Sequence, residues 1–170
     1  IDGVIHRVVS NRKAAYGLTR ARAAGIETRY VPFKPYADRA DGREAYDLDL
    51  AERLNADHPD LIVLAGWMRI LSAGFLATVN APVINLHPAL PGAYPGTNAI
   101  ERAWHDAQTG IITETGVMVH RVIEEVDAGT VLGTTVVPID TTATFATLEM
   151  AIHKAEHALL VNVVAQMCRV

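Results

Sequence analysis

Short apolar runs alternate with amphipathic stretches along most of the chain. Runs rich in Val, Ile and Leu are typical of buried strands. The predicted strands are residues 4–9, 28–31, 61–65 and 82–87. Apolar positions three and four residues apart predict helices. The predicted helices are residues 13–24, 41–55 and 97–108, and Gly25 ends the first of them. A further short helix is predicted after residues 66–71 and ends at Thr78.

The last third of the chain has a different pattern. Residues 116–122 and 130–137 predict an antiparallel strand pair, and residues 144–169 predict one long helix. The whole pattern predicts an α/β fold, a mostly parallel twisted sheet with helices on both faces and an antiparallel pair near its C-terminal part. Ligands of such folds bind at the carboxyl ends of strands, so the residues there are the candidates for chemistry.

Composition and charge exclude several classes of protein. The chain has 170 residues, 50% hydrophobic and 20% charged, which excludes a disordered chain. Its 15 Lys and Arg against 19 Asp and Glu give a net charge of −4, so nucleic acid is not an expected partner. The longest apolar run, residues 61–68, is far shorter than the about 20 residues that span a bilayer. With one cysteine, Cys168, we expect a cytoplasmic protein without disulfides.

Asn85 and His87 lie at the end of a predicted strand. Positions i and i+2 of a strand share a face, so the two side chains point the same way. An amide beside an imidazole suits acyl or formyl transfer, because Asn can donate to the oxyanion of a tetrahedral intermediate while His moves a proton near neutral pH. Two polar residues that simply end a strand would give the same pattern.

Two further segments carry candidate residues. Asp127 lies in the turn after residues 116–122, where a carboxylate directed at His87 would favour the imidazolium, although Asp-Ala-Gly is also an ordinary turn. Gly66 follows a buried strand, where a ligand can approach the backbone closely. Arg69 interrupts the apolar stretch that follows, which is costly unless the side chain reaches water or a partner.

Residues 153–157 match the H-x-x-E-H pattern of one class of zinc enzymes. On a helix, His153 and His157 would share a face and could bind zinc. The stretch after His157 is short, and the strand–helix alternation is unlike a metalloprotease scaffold. We therefore expect no metal at this position.

Five motifs occur together in the sequence. They are Ala65-Gly66-Trp67-Met68-Arg69-Ile70-Leu71, Asn85-Leu86-His87-Pro88, Tyr94-Pro95-Gly96, Gly116-Val117-Met118-Val119-His120 and Val126-Asp127-Ala128-Gly129. Their order, over nearly the whole chain, resembles the phosphoribosylglycinamide formyltransferase family. The resemblance implies a Rossmann-like formyltransferase fold. It also implies transfer of a formyl group from 10-formyltetrahydrofolate to the amine of glycinamide ribonucleotide in purine synthesis, by direct attack through a tetrahedral intermediate.

The same resemblance implies roles for individual residues. Asn85, His87 and Asp127 would be catalytic, with Asp127 raising the pKa of His87 so that the protonated ring and Asn85 stabilise the oxyanion. The residues expected to bind the folate are Arg43, Met68, Arg69, Ile70, Leu71 and Asn85. The residues expected to bind the ribotide are Pro88 and Glu156. Small-molecule substrates are the expected partners, without metal, nucleic acid or membrane, and the protein is expected to be a monomer or homodimer.

Residues 1–170 are interpreted as a single formyltransferase domain that lacks the family's first strand and phosphate-binding loop. That loop, similar to Gly-Asn-Gly-Ser-Asn, cradles the ribotide phosphate with backbone N–H groups, whereas Ile1 aligns just before the family's second strand. Residues 91–93 are Pro-Gly-Ala where many members have Leu-Pro-Lys, a difference that should not alter the chemistry.

Three other functions share parts of this pattern. Formyltetrahydrofolate hydrolase uses the same Asn–His–Asp set to send the formyl group to water, and tends to have a second His where this chain has Pro88. Methionyl-tRNA formyltransferase adds a basic RNA-binding domain, whereas this chain has a net charge of −4. A non-catalytic folate- or nucleotide-binding module could use the same scaffold, but the joint presence of Asn85, His87 and Asp127 argues against it.

Overall fold

The structure, a computed structural model, describes residues 1–169. Strands and helices alternate as expected for an α/β protein. The elements are β1 (Arg7–Ser10), α1 (Tyr16–Ala23), β2 (Glu27–Tyr30), α2 (Gly42–Asn55), β3 (Ile62–Leu64), α3 (Ala73–Thr78), β4 (Val83–His87), α4 (Ala99–Gln108), β5 (Glu114–Arg121), β6 (Val131–Pro138) and α5 (Phe145–Met167). Each predicted strand and helix is confirmed, with small shifts at the ends, and a 3₁₀ turn at Lys34–Tyr36 was not predicted.

One compact unit contains residues 1–2, 63–68 and 83 onward. Its sheet has the strand order β3–β4–β5–β6, and β5 pairs in antiparallel fashion with both β4 and β6. The predicted antiparallel pair is confirmed, and the antiparallel region also includes β4. Helix α5 packs on β5 and β6. Thr144 caps this helix, because its hydroxyl accepts a hydrogen bond from the Thr147 N–H at 3.2 Å.

Strand β5 is buried along most of its length, from residue 115 to residue 120. Two strands flank it and α5 covers it, so its apolar side chains, such as Val117 and Val119, are inaccessible to water. A buried polar side chain in such a strand is stable only if it has hydrogen-bond partners. His120 is one such buried polar side chain of β5 and is only 2% exposed.

The other unit consists of residues 3–62 and 69–82. It contains the parallel pair β1–β2, and α2 packs against α3 around the buried side chains of Tyr46, Leu50 and Phe75. Asp47 is fully buried on α2 and accepts a hydrogen bond from the Ser72 N–H at 2.8 Å. This bond ties the segment before α3 to α2.

Residues 66–71 form an irregular segment and not the start of a helix. Helix α3 begins only at Ala73, because Ser72 caps it by accepting a hydrogen bond from the Phe75 N–H at 3.2 Å. At the other end of the segment Gly66 has a φ of +73°, a left-handed conformation that glycine adopts without steric cost. Within residues 1–169, no helix is long and apolar enough to cross a membrane.

Candidate active site

Three predicted catalytic residues meet at the carboxyl end of β4. Asn85 and His87 lie two residues apart on this strand, and Asp127 comes from the turn between β5 and β6. Asp127 has a φ of +55°, which Asp tolerates better than most residues. Its two carboxylate oxygens contact the other two side chains, Oδ1 contacting Asn85 and Oδ2 contacting His87.

Both ring nitrogens of His87 face acceptors. Nδ1 lies 3.3 Å from Asp127 Oδ2, and Nε2 lies 3.1 Å from the carbonyl oxygen of Tyr94, while the residue is only 4% exposed. A neutral imidazole carries a single N–H, so only the protonated ring can donate to both acceptors at once. These two contacts favour the protonated ring, because a neutral ring leaves one nitrogen lone pair facing an acceptor.

Asn85 is oriented by His120, its partner across the β4–β5 pair. His120 Nδ1 lies 2.8 Å from the carbonyl oxygen of Arg121, which places the ring proton there and leaves Nε2 as an acceptor. Asn85 Nδ2 lies 3.2 Å from His120 Nε2 and 3.2 Å from Asp127 Oδ1. Both amide hydrogens are engaged, so the orientation of the Asn85 amide is determined.

The pKa of Asp127 lies below its ordinary value. Burial acts to raise it and is the largest single effect. The His120 ring, whose Nε2 lies 3.5 Å from Oδ1, the Gly96 N–H, which donates to Oδ2 at 2.8 Å, and the nearby His87 together outweigh burial. Asp127 is consequently a carboxylate at neutral pH.

The pKa of His87 is lowered from its ordinary 6.5, because burial penalises the imidazolium. The charge of Asp127 and the Tyr94 carbonyl act in the opposite direction, while His120 and Arg102 also lower the pKa. Asp127 acts to raise the pKa of His87, in the direction expected, but burial has the larger effect. The lowered pKa favours the neutral ring over the protonated form.

Two parts of the site were not among the predicted site residues. His120 and the loop of residues 94–96 both fall inside motifs that carried the family resemblance, but no chemistry was assigned to them. The signal for His120 is a histidine in a strand that is otherwise apolar, directly opposite Asn85. Asn85 and His87 were expected to donate hydrogen bonds to the substrate oxyanion. In the structure their N–H groups face protein partners instead.

The residues expected to bind the folate divide between the two units. Met68 and Asn85 belong to the first, and Arg43, Arg69, Ile70 and Leu71 to the second. In the second unit, Arg43 Nη2 donates to the Ile70 carbonyl oxygen at 3.1 Å, so these two residues are brought together. Met68 and Ile70 are 76% and 56% exposed, which is unusual for large apolar side chains, whereas Leu71 is buried.

Arg69 has the partner that its place in an apolar segment requires. Its guanidinium carbon lies 3.7 Å from the ring centroid of Phe33 and 5.2 Å from that of Tyr46. These are cation–π contacts, which stabilise an arginine that is half-buried. They fix the Arg69 side chain against the aromatic cluster and leave its neighbours Met68 and Ile70 exposed.

The residues expected to bind the ribotide are placed differently from each other. Pro88 directly follows His87, whereas Glu156 lies on α5 and pairs with His153, whose Nδ1 is 2.7 Å from Glu156 Oε2. Within the described chain no hydrogen bond or ion pair joins Glu156 to the Asn85–His87–Asp127 cluster. No group of three potential metal ligands occurs among the described residues.

A family model described as formyl transferase matches residues 1–164. The chain belongs to the formyl transferase family. It is 47% identical over 171 residues to a phosphoribosylglycinamide formyltransferase of Schizosaccharomyces pombe, covering 97% of this chain and 83% of that protein. It is 49% identical over 164 residues to a protein of the same name from Dictyostelium discoideum, covering 91% of this chain and 80% of that protein.

Solved structures of formyl transferases share the fold. The crystal structure of phosphoribosylglycinamide formyltransferase from Bacillus halodurans superposes with a TM-score of 0.87 at 27% identity, covering 98% of this chain and 81% of that one. The corresponding structure from Streptococcus pneumoniae has a TM-score of 0.86 at 31% identity, covering 98% of this chain and 88% of that one. The predicted formyltransferase fold is confirmed.

Proposed function

We propose that this protein transfers the formyl group of 10-formyltetrahydrofolate to the amine of glycinamide ribonucleotide in purine synthesis. The proposal rests on the joined side chains of Asn85, His87 and Asp127 at the end of β4, in a member of the formyl transferase family. The names of its relatives support formyl transfer to phosphoribosylglycinamide, and membership of the formyl transferase family supports a folate-type formyl donor.

The amine nitrogen attacks the formyl carbon, and the formyl oxygen becomes an oxyanion. The resulting ammonium group loses a proton, and N10 of the folate gains one as its bond to carbon breaks. His87 is suited to carry this proton, because burial lowers the pKa of its ring and so favours the neutral form, which can accept a proton. Asp127 lies 3.3 Å from Nδ1 and stabilises the imidazolium while it exists.

Asn85 is the proposed donor to the oxyanion. One of its amide hydrogens faces the neutral Nε2 of His120 at 3.2 Å, and the other faces the Asp127 carboxylate. An oxyanion is a stronger acceptor than an imidazole nitrogen, so a substrate oxyanion placed beside the first hydrogen shares or replaces the His120 contact as charge develops, without rotation of the amide. The second keeps the amide in place.

The binding residues follow the family resemblance. The residues proposed to bind the folate are Arg43, Met68, Arg69, Ile70, Leu71 and Asn85. Exposed apolar side chains at positions 68 and 70 suit an aromatic ring, and the exposed Arg43 suits a carboxylate. For the ribotide, Pro88 and Glu156 are proposed.

The setting we propose is the cytoplasm, with small molecules as the only substrates and a monomer or homodimer as the assembly. A free thiol at Cys168 supports a reducing compartment. The net charge of −4 argues against nucleic acid as a partner.

The test measures deformylation of 10-formyltetrahydrofolate by the full-length protein. The reaction is monitored by absorbance, with and without glycinamide ribonucleotide. Turnover that requires the ribotide is the expected result. Equal deformylation in its absence would contradict the proposal and indicate a hydrolase, and Glu156 would then lose its role.

A further inference from the structure

The loop of residues 94–96 completes the catalytic cluster from outside the sheet. The Tyr94 carbonyl oxygen lies 3.1 Å from His87 Nε2, and the Gly96 N–H donates to Asp127 Oδ2 at 2.8 Å. The two groups that form the His87–Asp127 pair are therefore each bonded to this loop. A shift of the loop would move both of them.

The backbone of this loop does not adopt its conformation by itself. Tyr94 has a φ of +49° and Gly96 a φ of +81°. Glycine adopts the left-handed region freely, but a bulky aromatic residue there is strained and needs surrounding contacts to hold it. Some other element must keep Tyr94 in place.

Helix α4 supplies those contacts from two residues one turn apart. Arg102 Nη2 donates to the carbonyl oxygens of Tyr94 and Pro95, at 2.6 and 2.7 Å. Its guanidinium carbon also lies 5.6 Å from the Tyr94 ring centroid. Asp106 accepts a hydrogen bond from the Tyr94 hydroxyl at 2.8 Å. The helix thus grips Tyr94 at its backbone and at the far end of its side chain.

Arg102 is the central contact, because it and His87 bind the same acceptor. The Tyr94 carbonyl oxygen has two lone pairs, and it accepts from Arg102 and contacts His87 at the same time. Charge-assisted bonds of this length are among the stronger ones in proteins. The guanidinium therefore fixes the position of the acceptor that faces His87.

We propose that Arg102 is a positioning residue for formyl transfer, which holds the strained 94–96 loop so that Tyr94 and Gly96 align His87 and Asp127. It touches neither of the proposed substrate-binding sets, so its removal affects turnover more than binding. The proposal rests on the proposed function for its kinetic consequences. The loop contacts themselves can be measured without any substrate.

The test compares Arg102→Met, which removes the guanidinium, with Arg102→Lys, which keeps a charge but loses the planar fork. We expect kcat of Arg102→Met to fall about 10- to 100-fold, because small misplacements of catalytic groups cost this much. KM for each substrate should change less than about threefold, and Arg102→Lys should restore part of kcat. Arg20→Met, at an exposed arginine of α1, is the matched control and should behave as wild type.

An activity-independent measurement accompanies the kinetics. Hydrogen exchange of the Gly96 amide, followed by NMR, should be faster in Arg102→Met than in wild type, because the bond to Asp127 loosens. Wild-type kcat with unchanged Gly96 exchange in a folded Arg102→Met protein would overturn the proposal. If that variant does not fold, Arg102→Lys decides by the same two readouts. Absence of ribotide-dependent transfer in the wild type would refute the proposed function. Gly96 exchange would still test whether Arg102 holds the 94–96 loop in place.

Discussion

Two groups of histidines in this protein look alike as sequence motifs and differ as sites. His87 and His120 lie at the β4–β5 pair, are 4% and 2% exposed, and contact the same carboxylate, that of Asp127. On α5, His153 has a side chain that is 52% exposed and pairs with Glu156. The first group is enclosed by acceptors from a strand, a turn and a loop, whereas the second lies on one helix surface.

The difference teaches that spacing alone does not make a histidine chemically useful. In the enclosed group, burial and Asp127 act on His87 in opposite directions, and this balance sets its protonation state. On α5 the i, i+4 spacing of His153 and His157 satisfies the geometry of a metal pair, but the contacts observed there are those of an exposed helix surface. Each prediction below tests one side of this contrast.

Removal of the His87 ring should have the largest effect. We expect His87→Ala to lower kcat about 1,000-fold, because it removes the proton carrier. His157→Ala on the exposed helix is the matched control and should retain nearly full turnover. Comparable losses in the two variants, measured as ribotide-dependent transfer, would refute the contrast.

The carboxylate of Asp127 comes next. Asp127→Asn keeps the shape of the side chain, and we expect kcat to fall about 100-fold because the imidazolium is no longer stabilised. Since the charge of Asp127 raises the pKa of His87, its removal should lower that pKa further, as measured by NMR titration of the ring. Asp38→Asn, at an exposed position, should leave both quantities unchanged. An upward shift in the pKa of His87 would be inconsistent with this view of the pair.

Glu156 should matter for binding and not for chemistry. We expect Glu156→Gln to raise KM for the ribotide about tenfold, the effect of a lost bond between charged or polar groups, with kcat nearly unchanged. His153→Gln removes the imidazole contact with Glu156 but keeps the carboxylate, so its KM should stay near that of wild type. Equal KM values for all three proteins would remove Glu156 from the ribotide site.

The pH dependence of stability gives the smallest effect. The pKa of His87 in the folded state lies below 6.5, so the unfolded chain binds a proton more readily. The neutral, buried His87 makes its full contribution to the free energy of unfolding above pH 6.5. This contribution is lost as the pH falls through the lowered pKa that His87 has in the folded state. The free energy of unfolding of wild type relative to His87→Ala should decrease over this interval in urea titrations. A difference that grows toward acid would indicate a raised pKa.

Local geometry explains what could be predicted from the sequence. The shared face of Asn85 and His87 follows from the two-residue period of a strand, which holds wherever a strand forms. Likewise the helix at 41–55 was found almost to the residue, because its apolar positions repeat at helical spacing.

Long-range pairing explains what could not be predicted. The contact between Asn85 and His120 depends on the register between β4 and β5, and the role of Tyr94 depends on how α4 packs on its loop. The direction of the His87 pKa is a sum of opposed effects, of which burial is the largest and is unknown before the fold. For Glu156, only the family resemblance suggested a role.

The most direct test of the central claim follows the formyl carbon itself. A ¹³C-labelled formyl group on 10-formyltetrahydrofolate is traced by NMR after one turnover, with glycinamide ribonucleotide present, in wild type and in His87→Ala. We predict that the label of the wild-type reaction appears as an amide on the ribotide, and that His87→Ala leaves it on the folate. Label released as free formate by the wild type, or transfer at equal rates in both proteins, would contradict the account.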